Sequence, residues 1–160
     1  WVRLSRSTKL YNIQEILLRY RYHNSQVSNI KSKEQSNLLS SLRYQMISNL
    51  TFSLSKHEKQ FLISVLENKT IDSWNEINCF LRLKEIIIDA NKIEFFNPVQ
   101  FIEFFKKIEG ELLRNYFLIR KQYSPKVYSN YRKMKKHNNF KLSILEEAKV
   151  FLKSQLRYKV

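Results

Sequence analysis

The chain has 160 residues, and this length predicts a single domain over residues 1–160. Its residues are 43% hydrophobic and 14% aromatic, a composition that argues against a disordered chain. One glycine and two prolines leave little of the turn chemistry that sheets require, so the sequence predicts an all-α fold. The formal net charge of +15 favours an anionic partner, and the single cysteine excludes an internal disulfide.

The N-terminal third is basic and is predicted to begin with a partly extended arm, residues 1–9. Ser7 or Thr8 is suited to cap a first helix that runs to about His23, and residues 24–34 are typical of a loop. The spacing of apolar residues predicts a second helix that contains Leu38, Leu39, Leu42, Met46, Ile47 and Leu50.

Two capping-box patterns predict the helices of the middle of the chain. Ser55 and Glu58 have the spacing of such a box, and so do Ser73 and Glu76. The helix after Ser73 contains three consecutive isoleucines, residues 86–88, for which a buried strand is the alternative. No partner strand is visible in the sequence, so the helix is the interpretation.

The longest predicted helix begins at Asn97, a capping residue followed by Pro98, and ends before Ser124 and Pro125 after some 26 residues. Its apolar face is predicted to be buried and contains Phe101, Phe105, Ile108, Leu112, Leu113, Ile119 and Tyr123. A last helix from about Lys141 has Leu145, Ala148, Leu152 and Leu156 on one face. The architecture predicted from these elements is an irregular bundle of five or six helices.

The charge is concentrated in a basic, aromatic-rich segment, residues 112–145, which contains nine Lys and Arg residues and no Asp or Glu. Residues 34–111 have a net charge of −2, and residues 1–33 one of +6. Cations neutralise phosphates, and tyrosine rings stack on unpaired bases. The segment is therefore predicted to bind RNA through Arg114, Arg120, Lys121, Lys126, Tyr128, Tyr131, Arg132, Lys133, Lys135, Lys136 and Lys141.

The N-terminal arm and first helix supply further candidate RNA contacts: Arg3, Arg6, Lys9, Arg19 and Arg21. Basic arms of this kind become ordered along RNA grooves on contact. For the arm the alternative is a plain disordered tail, and for the basic segment it is a solvated face with its tyrosines packed inward.

Arg132 and His137 are separated by four residues. This Arg-x4-His spacing resembles that of the HEPN family of helical ribonucleases. The resemblance implies that an arginine and a histidine from paired subunits attend a scissile phosphate. A helical nuclease is thus one alternative function.

No other pattern indicates an enzyme, a metal site or a cofactor. His23, His57 and His137 lie far apart, and Gly110 is isolated within a predicted helix rather than in a phosphate-binding loop. No uncharged run has the length of a transmembrane helix.

The sequence predicts a structural RNA-binding protein rather than an enzyme. Abundant Asn, Lys and Ile with little Gly are typical of AT-rich coding sequence, which fits an organelle, a parasite or an AT-rich microbe. A mitochondrion or other organelle is the predicted location, and the cytoplasm is the alternative. A component of a mitochondrial ribosome, contacting rRNA and neighbouring proteins, is the prediction. An accessory subunit of a large protein or membrane-associated complex without RNA is a further alternative.

Overall fold

The computed structural model describes residues 32–67, 69–93, 95–137 and 140–159, together with Thr8 and Glu15. The chain forms two compact units, residues 1–49 and residues 50–160, and each is described by itself. The prediction of one domain over 1–160 stays a prediction. The predicted arm and first helix lie outside the described residues, apart from those two positions.

The first unit contains helix α1, Ser32–Ile47. The predicted helix is confirmed, but it begins within the segment assigned to a loop, and Leu50 lies beyond its end. Glu34 in the first turn favours this early start, because a carboxylate there interacts well with the positive end of the helix dipole.

The second unit is built from five α-helices: α2, Lys56–Leu66; α3, Trp74–Ala90; α4, Pro98–Leu118; α5, Pro125–His137; and α6, Ile144–Gln155. A short 3-10 turn, Asn91–Ile93, follows α3. The described residues thus contain six α-helices and no strand, which confirms the all-α prediction and rules out the strand considered for residues 86–88. None of the helices described is both long enough and apolar enough to cross a membrane.

Side chains that cap the helices explain where several of them begin. Ser55 and Glu58 form the predicted capping box at α2, and Asn97 accepts a hydrogen bond from the backbone N–H of Gln100 at α4. Ser73 caps α3 through the N–H of Asn75, without the reciprocal bond from Glu76 that a full box requires. The box pattern was therefore half right at this helix.

The last helix begins later than the sequence predicts. Ser143 and Glu146 form a capping box there, which fixes the start of α6 at Ile144 rather than near Lys141.

The core of the second unit is rich in aromatic rings. Phe101, Phe105 and Leu112 of α4 are buried as predicted, whereas Ile108 is only half-buried. Phe117 is fully buried, and its ring centroid lies 5.5 Å from that of Tyr131 on α5. Edge-to-face pairs of this kind add about 0.5–1.5 kcal/mol to what burial alone contributes.

The end of α4 differs from the prediction. The helix ends at Leu118 rather than before Ser124, and Ile119, which was predicted to be buried, is 66% exposed. The chain turns after Leu118 because two hydrogen bonds of Tyr123 hold the residues that follow the helix. The N–H of Tyr123 donates to the carbonyl of Tyr158 over 2.9 Å, and the Tyr123 hydroxyl donates to the carbonyl of Phe117 over 3.1 Å.

Helix α6 exposes the face that an amphipathic helix ordinarily buries. Its buried residues are Val150 and Ser154. The apolar stripe noted in the sequence is exposed instead, and it comprises Leu145, Ala148, Leu152 and Leu156. We call this set the α6 stripe.

Candidate nucleic-acid interface

Helix α5 carries most of the residues of the basic segment that were predicted to bind RNA, and α6 packs against it. Pro125 begins α5, at the position where a proline costs no hydrogen bond. Val127, Tyr131 and Met134 recur at helical spacing and are buried. The basic residues of α5 therefore lie on the remaining sides of the helix.

A tyrosine hydroxyl joins the two helices. The Tyr131 hydroxyl donates to Oε2 of Glu147 over 3.0 Å and accepts from the backbone N–H of Leu142 over 3.3 Å. Nζ of Lys135 donates to the same carboxylate oxygen over 2.7 Å. Burial raises the pKa of Tyr131, so the ring remains a neutral phenol at physiological pH.

The hydrogen bonds from Lys135 and Tyr131 hold the pKa of Glu147 below its ordinary value. A lowered folded-state pKa means that Glu147 stabilises the fold above the ordinary pKa of a glutamate. That contribution is lost as the pH falls through the lowered value.

Two of the nine cations of the basic segment are paired with acidic residues of α6. Arg114 forms an ion pair with Glu146, and Lys135 forms one with Glu147. Hydrogen bonds from Ser143, with the charge of Arg114, hold the pKa of Glu146 below its ordinary value. We call Arg114 and Lys135 the paired cations. Their charge is already balanced within the protein.

Six other cations are exposed, and within the described part of the chain none has a carboxylate within 4.0 Å. They lie on the turn after α4, along α5 and before α6, and we call them the open cations: Lys121, Lys126, Arg132, Lys133, Lys136 and Lys141. An exposed cation without a partner remains available to a phosphate. Of the cations predicted to bind RNA, these six are accessible to a phosphate.

Arg120 differs from the open cations because it is half-buried. Its guanidinium lies 4.6 Å from the ring centroid of Tyr116, and its Nη2 donates to the carbonyl of Asp72 over 3.3 Å. A cation over an aromatic face is held by the quadrupole of the ring. The side chain is therefore fixed in place.

The predicted stacking role of Tyr131 needs correction, and that of Tyr128 stays a prediction. Tyr131 is fully buried, so its ring has no face to offer an unpaired base. Tyr128 is half-buried, and its ring centroid lies 5.0 Å from that of Phe151 on α6. Both rings contribute to the α5–α6 contact. The sequence misled here because helical spacing alone does not say which side of a basic helix is inward.

Several other predicted residues are not characterised by the structure. Arg3, Arg6, Lys9, Arg19 and Arg21 lie outside the described residues, and their role stays a prediction. Arg132 is exposed on α5, and His137 is the last residue of that helix, with a side chain that is also outside the described set. The nuclease hypothesis therefore remains untested. No metal-binding group of three or more His, Cys, Asp or Glu residues occurs among the described residues.

Comparison of the chain with protein-family models, with characterised proteins and with solved structures finds no significant match. The site is thus interpreted from its own geometry.

The hydroxyl of Tyr131 gives a direct stability prediction. Tyr131→Phe removes the acceptor of the buried Leu142 N–H, and we expect it to lower the free energy of unfolding by about 1–3 kcal/mol. Tyr158→Phe is the matched control, because Tyr158 is 46% exposed and its hydroxyl has no hydrogen bond within the described residues. Urea denaturation of both variants measures the difference. Equal stability of the two would show that the Tyr131 hydroxyl is not part of the α5–α6 contact.

Proposed function

We propose that the protein is a structural RNA-binding protein whose open cations contact RNA phosphates. The observation that supports this most is the division of the basic segment. Its two paired cations are neutralised by α6, while six others are exposed and have no acidic partner among the described residues. Contacts to phosphates position a protein on RNA and carry no sequence information. Binding is therefore expected to depend on salt much more than on RNA sequence.

The assembly we propose is an organellar, most specifically a mitochondrial, ribosome. The composition supports an AT-rich genome, and the basic flanks beside a near-neutral middle suit a protein that contacts rRNA on one side and proteins on another. The exposed α6 stripe suits a neighbouring protein, because large apolar patches mark interaction surfaces.

Salt titration tests the proposed function. If four phosphates are neutralised on a duplex, the logarithm of the association constant should fall against the logarithm of the salt concentration with a slope of roughly −3 to −4. Fluorescence anisotropy of a labelled RNA hairpin with the full chain measures the slope. A similar slope is expected for a second hairpin of unrelated sequence. No binding at low salt, or a slope near zero, would contradict the proposal.

A second candidate is an accessory subunit of a protein complex without RNA, and the α6 stripe favours it. Leu145 on α6 is 77% exposed, and Leu156, directly after the helix, is 76% exposed. Exposed apolar residues grouped in one patch mark interaction surfaces. Under this candidate the stripe is the main interface and the open cations serve solubility. Failure of the salt titration would leave it as the better interpretation.

A further inference from the structure

A cleft of about 500 Å³ lies between the start of α3, the end of α4 and the first turns of α5. Its volume is within the range of about 300–1,000 Å³ that small-molecule pockets occupy. Aromatic side chains, Trp74 and Tyr116, are part of one wall, and residues of α5 form the other. All of these residues belong to the second unit.

Helix α5 presents a polar stripe to the cleft. Lys126, Asn130 and Lys133 are spaced by four and three residues, so they share one face of the helix, and all three line the cleft. Both lysines are open cations. Their charge is directed to this cleft by the same helix that buries Tyr131 on another side.

The opposite wall holds a fixed positive charge. Arg120 lines the cleft, and its guanidinium is held by the Tyr116 ring and by the carbonyls of Asp72 and Gln122. Its Nη1 is enclosed and has no hydrogen-bond acceptor within the described residues. In the described part of the chain the guanidinium contacts two neutral carbonyls and the Tyr116 ring, and no carboxylate balances its charge.

Two helix N-termini also meet at the cleft. Trp74 is the first residue of α3, and Lys126 is the second residue of α5. The positive ends of both helix dipoles add to the charge of Arg120, Lys126 and Lys133. Among the described residues that line the cleft, Asp72 is the one acidic residue, so three cations face one anion there.

We propose that this cleft binds one unpaired nucleotide of the RNA that the open cations contact. Its phosphate lies among Arg120, Lys126 and Lys133, and its base lies against the half-buried Trp74. Asn75 and Asn130 also line the cleft, and their amides suit the polar edge of a base. A base within a duplex is already stacked and paired, so the cleft selects single-stranded RNA. This inference rests on the proposed function and adds a specific site to it.

The chain offers its own reporter for the test. Trp1 and Trp74 are its two tryptophans, so Trp1→Phe leaves Trp74, which lines the cleft, as the single tryptophan, and its emission is excited selectively over that of the tyrosines. The probes are uridine monophosphate, uridine, inorganic phosphate, hexauridylate and a short RNA duplex. We expect hexauridylate and uridine monophosphate to quench Trp74, and the duplex to bind without quenching it. Uridine or phosphate alone should bind more weakly than the monophosphate.

Two matched variants locate the effect. In the Trp1→Phe background, Lys126→Gln with Lys133→Gln removes two charges from the cleft, and Lys121→Gln with Lys141→Gln removes two open cations outside it. We expect the cleft variant to weaken hexauridylate binding roughly tenfold or more at low salt and to abolish quenching. The control variant should bind hexauridylate more weakly, because its two lysines are also open cations, but it should retain the quenching by uridine monophosphate, which occupies the cleft alone.

The outcomes separate this inference from the proposed function. Binding of both RNAs without quenching of Trp74, weakened equally by the two variants, would overturn the cleft and leave RNA binding in place. Absence of binding to either RNA would overturn the proposed function, and the cleft with it. Quenching by the monophosphate without any RNA binding would also overturn both, because the cleft would then serve a free nucleotide.

Discussion

Phe105→Ala is expected to lower the free energy of unfolding by about 3–5 kcal/mol. Phe105 has no exposed surface, and its ring packs edge-to-face on Phe101 and Phe104, with centroids 5.2 and 5.4 Å away. Alanine would leave a cavity that surrounding rings can fill only in part. Urea denaturation followed by circular dichroism measures the loss.

Ile119→Ala is the control for this prediction. Ile119 belongs to the same apolar pattern in the sequence but is 66% exposed, and we expect a change of about 0.5 kcal/mol or less. If Phe105→Ala does not fold, Phe105→Leu keeps the comparison measurable because it leaves a smaller cavity. Equal effects at the two positions would contradict the burial of Phe105 and the exposure of Ile119.

The elements that sequence predicted well are those set by neighbouring residues. The cap at Ser55 needs only Glu58 three residues later, and the start of α4 needs only Asn97 and Pro98. The apolar spacing from Phe101 to Leu112 likewise predicted a buried face. Local rules suffice where the partner of a residue lies within one turn of it.

The end of α4 could not be predicted in this way. The apolar pattern continues through Ile119 to Tyr123, and Pro125 is the first residue that must stop a helix. In the folded protein Tyr123 is buried, and its backbone N–H donates to the carbonyl of Tyr158. Gln122 forms an isolated β-bridge with Lys159. Residues some 36 positions apart decide where the helix ends.

The candidate site was predicted in its charge but not in its geometry. The sequence locates the basic segment, but it does not distinguish its nine cations from one another. Arg114 and Lys135 pair with Glu146 and Glu147 of α6, which follow the segment, and the rings of Tyr128 and Tyr131 pack toward the same helix. Trp74, which lines the cleft, lies far upstream and had no distinguishing signal beyond its place after Ser73.

The division between open and paired cations leads to the second large prediction. Arg132→Gln with Lys136→Gln removes two open cations, and Arg114→Gln with Lys135→Gln removes two paired ones. Each variant replaces one arginine and one lysine, so net charge falls equally. Only the two open cations are free to contact phosphates, and this contact releases counterions from the RNA. We expect the open-cation variant to lower the magnitude of the salt slope by about 2.

The change in slope corresponds to a loss of affinity of roughly 100-fold at 0.1 M salt, if the affinities of variant and parent converge near 1 M. The paired-cation variant should lose much less affinity, because Glu146 and Glu147 already neutralise the residues that it replaces. Exposed ion pairs contribute only about 0–1 kcal/mol to stability, so both variants should remain folded. Circular dichroism checks that they do.

The most direct test of whether the open cations bind RNA is the salt dependence of binding to one RNA hairpin. It is measured for the two variants side by side with the parent chain. The account predicts a flatter slope for the Arg132 and Lys136 variant and a slope close to that of the parent for the Arg114 and Lys135 variant. Equal slopes for the two variants, or a flatter slope for the paired-cation variant alone, would contradict it.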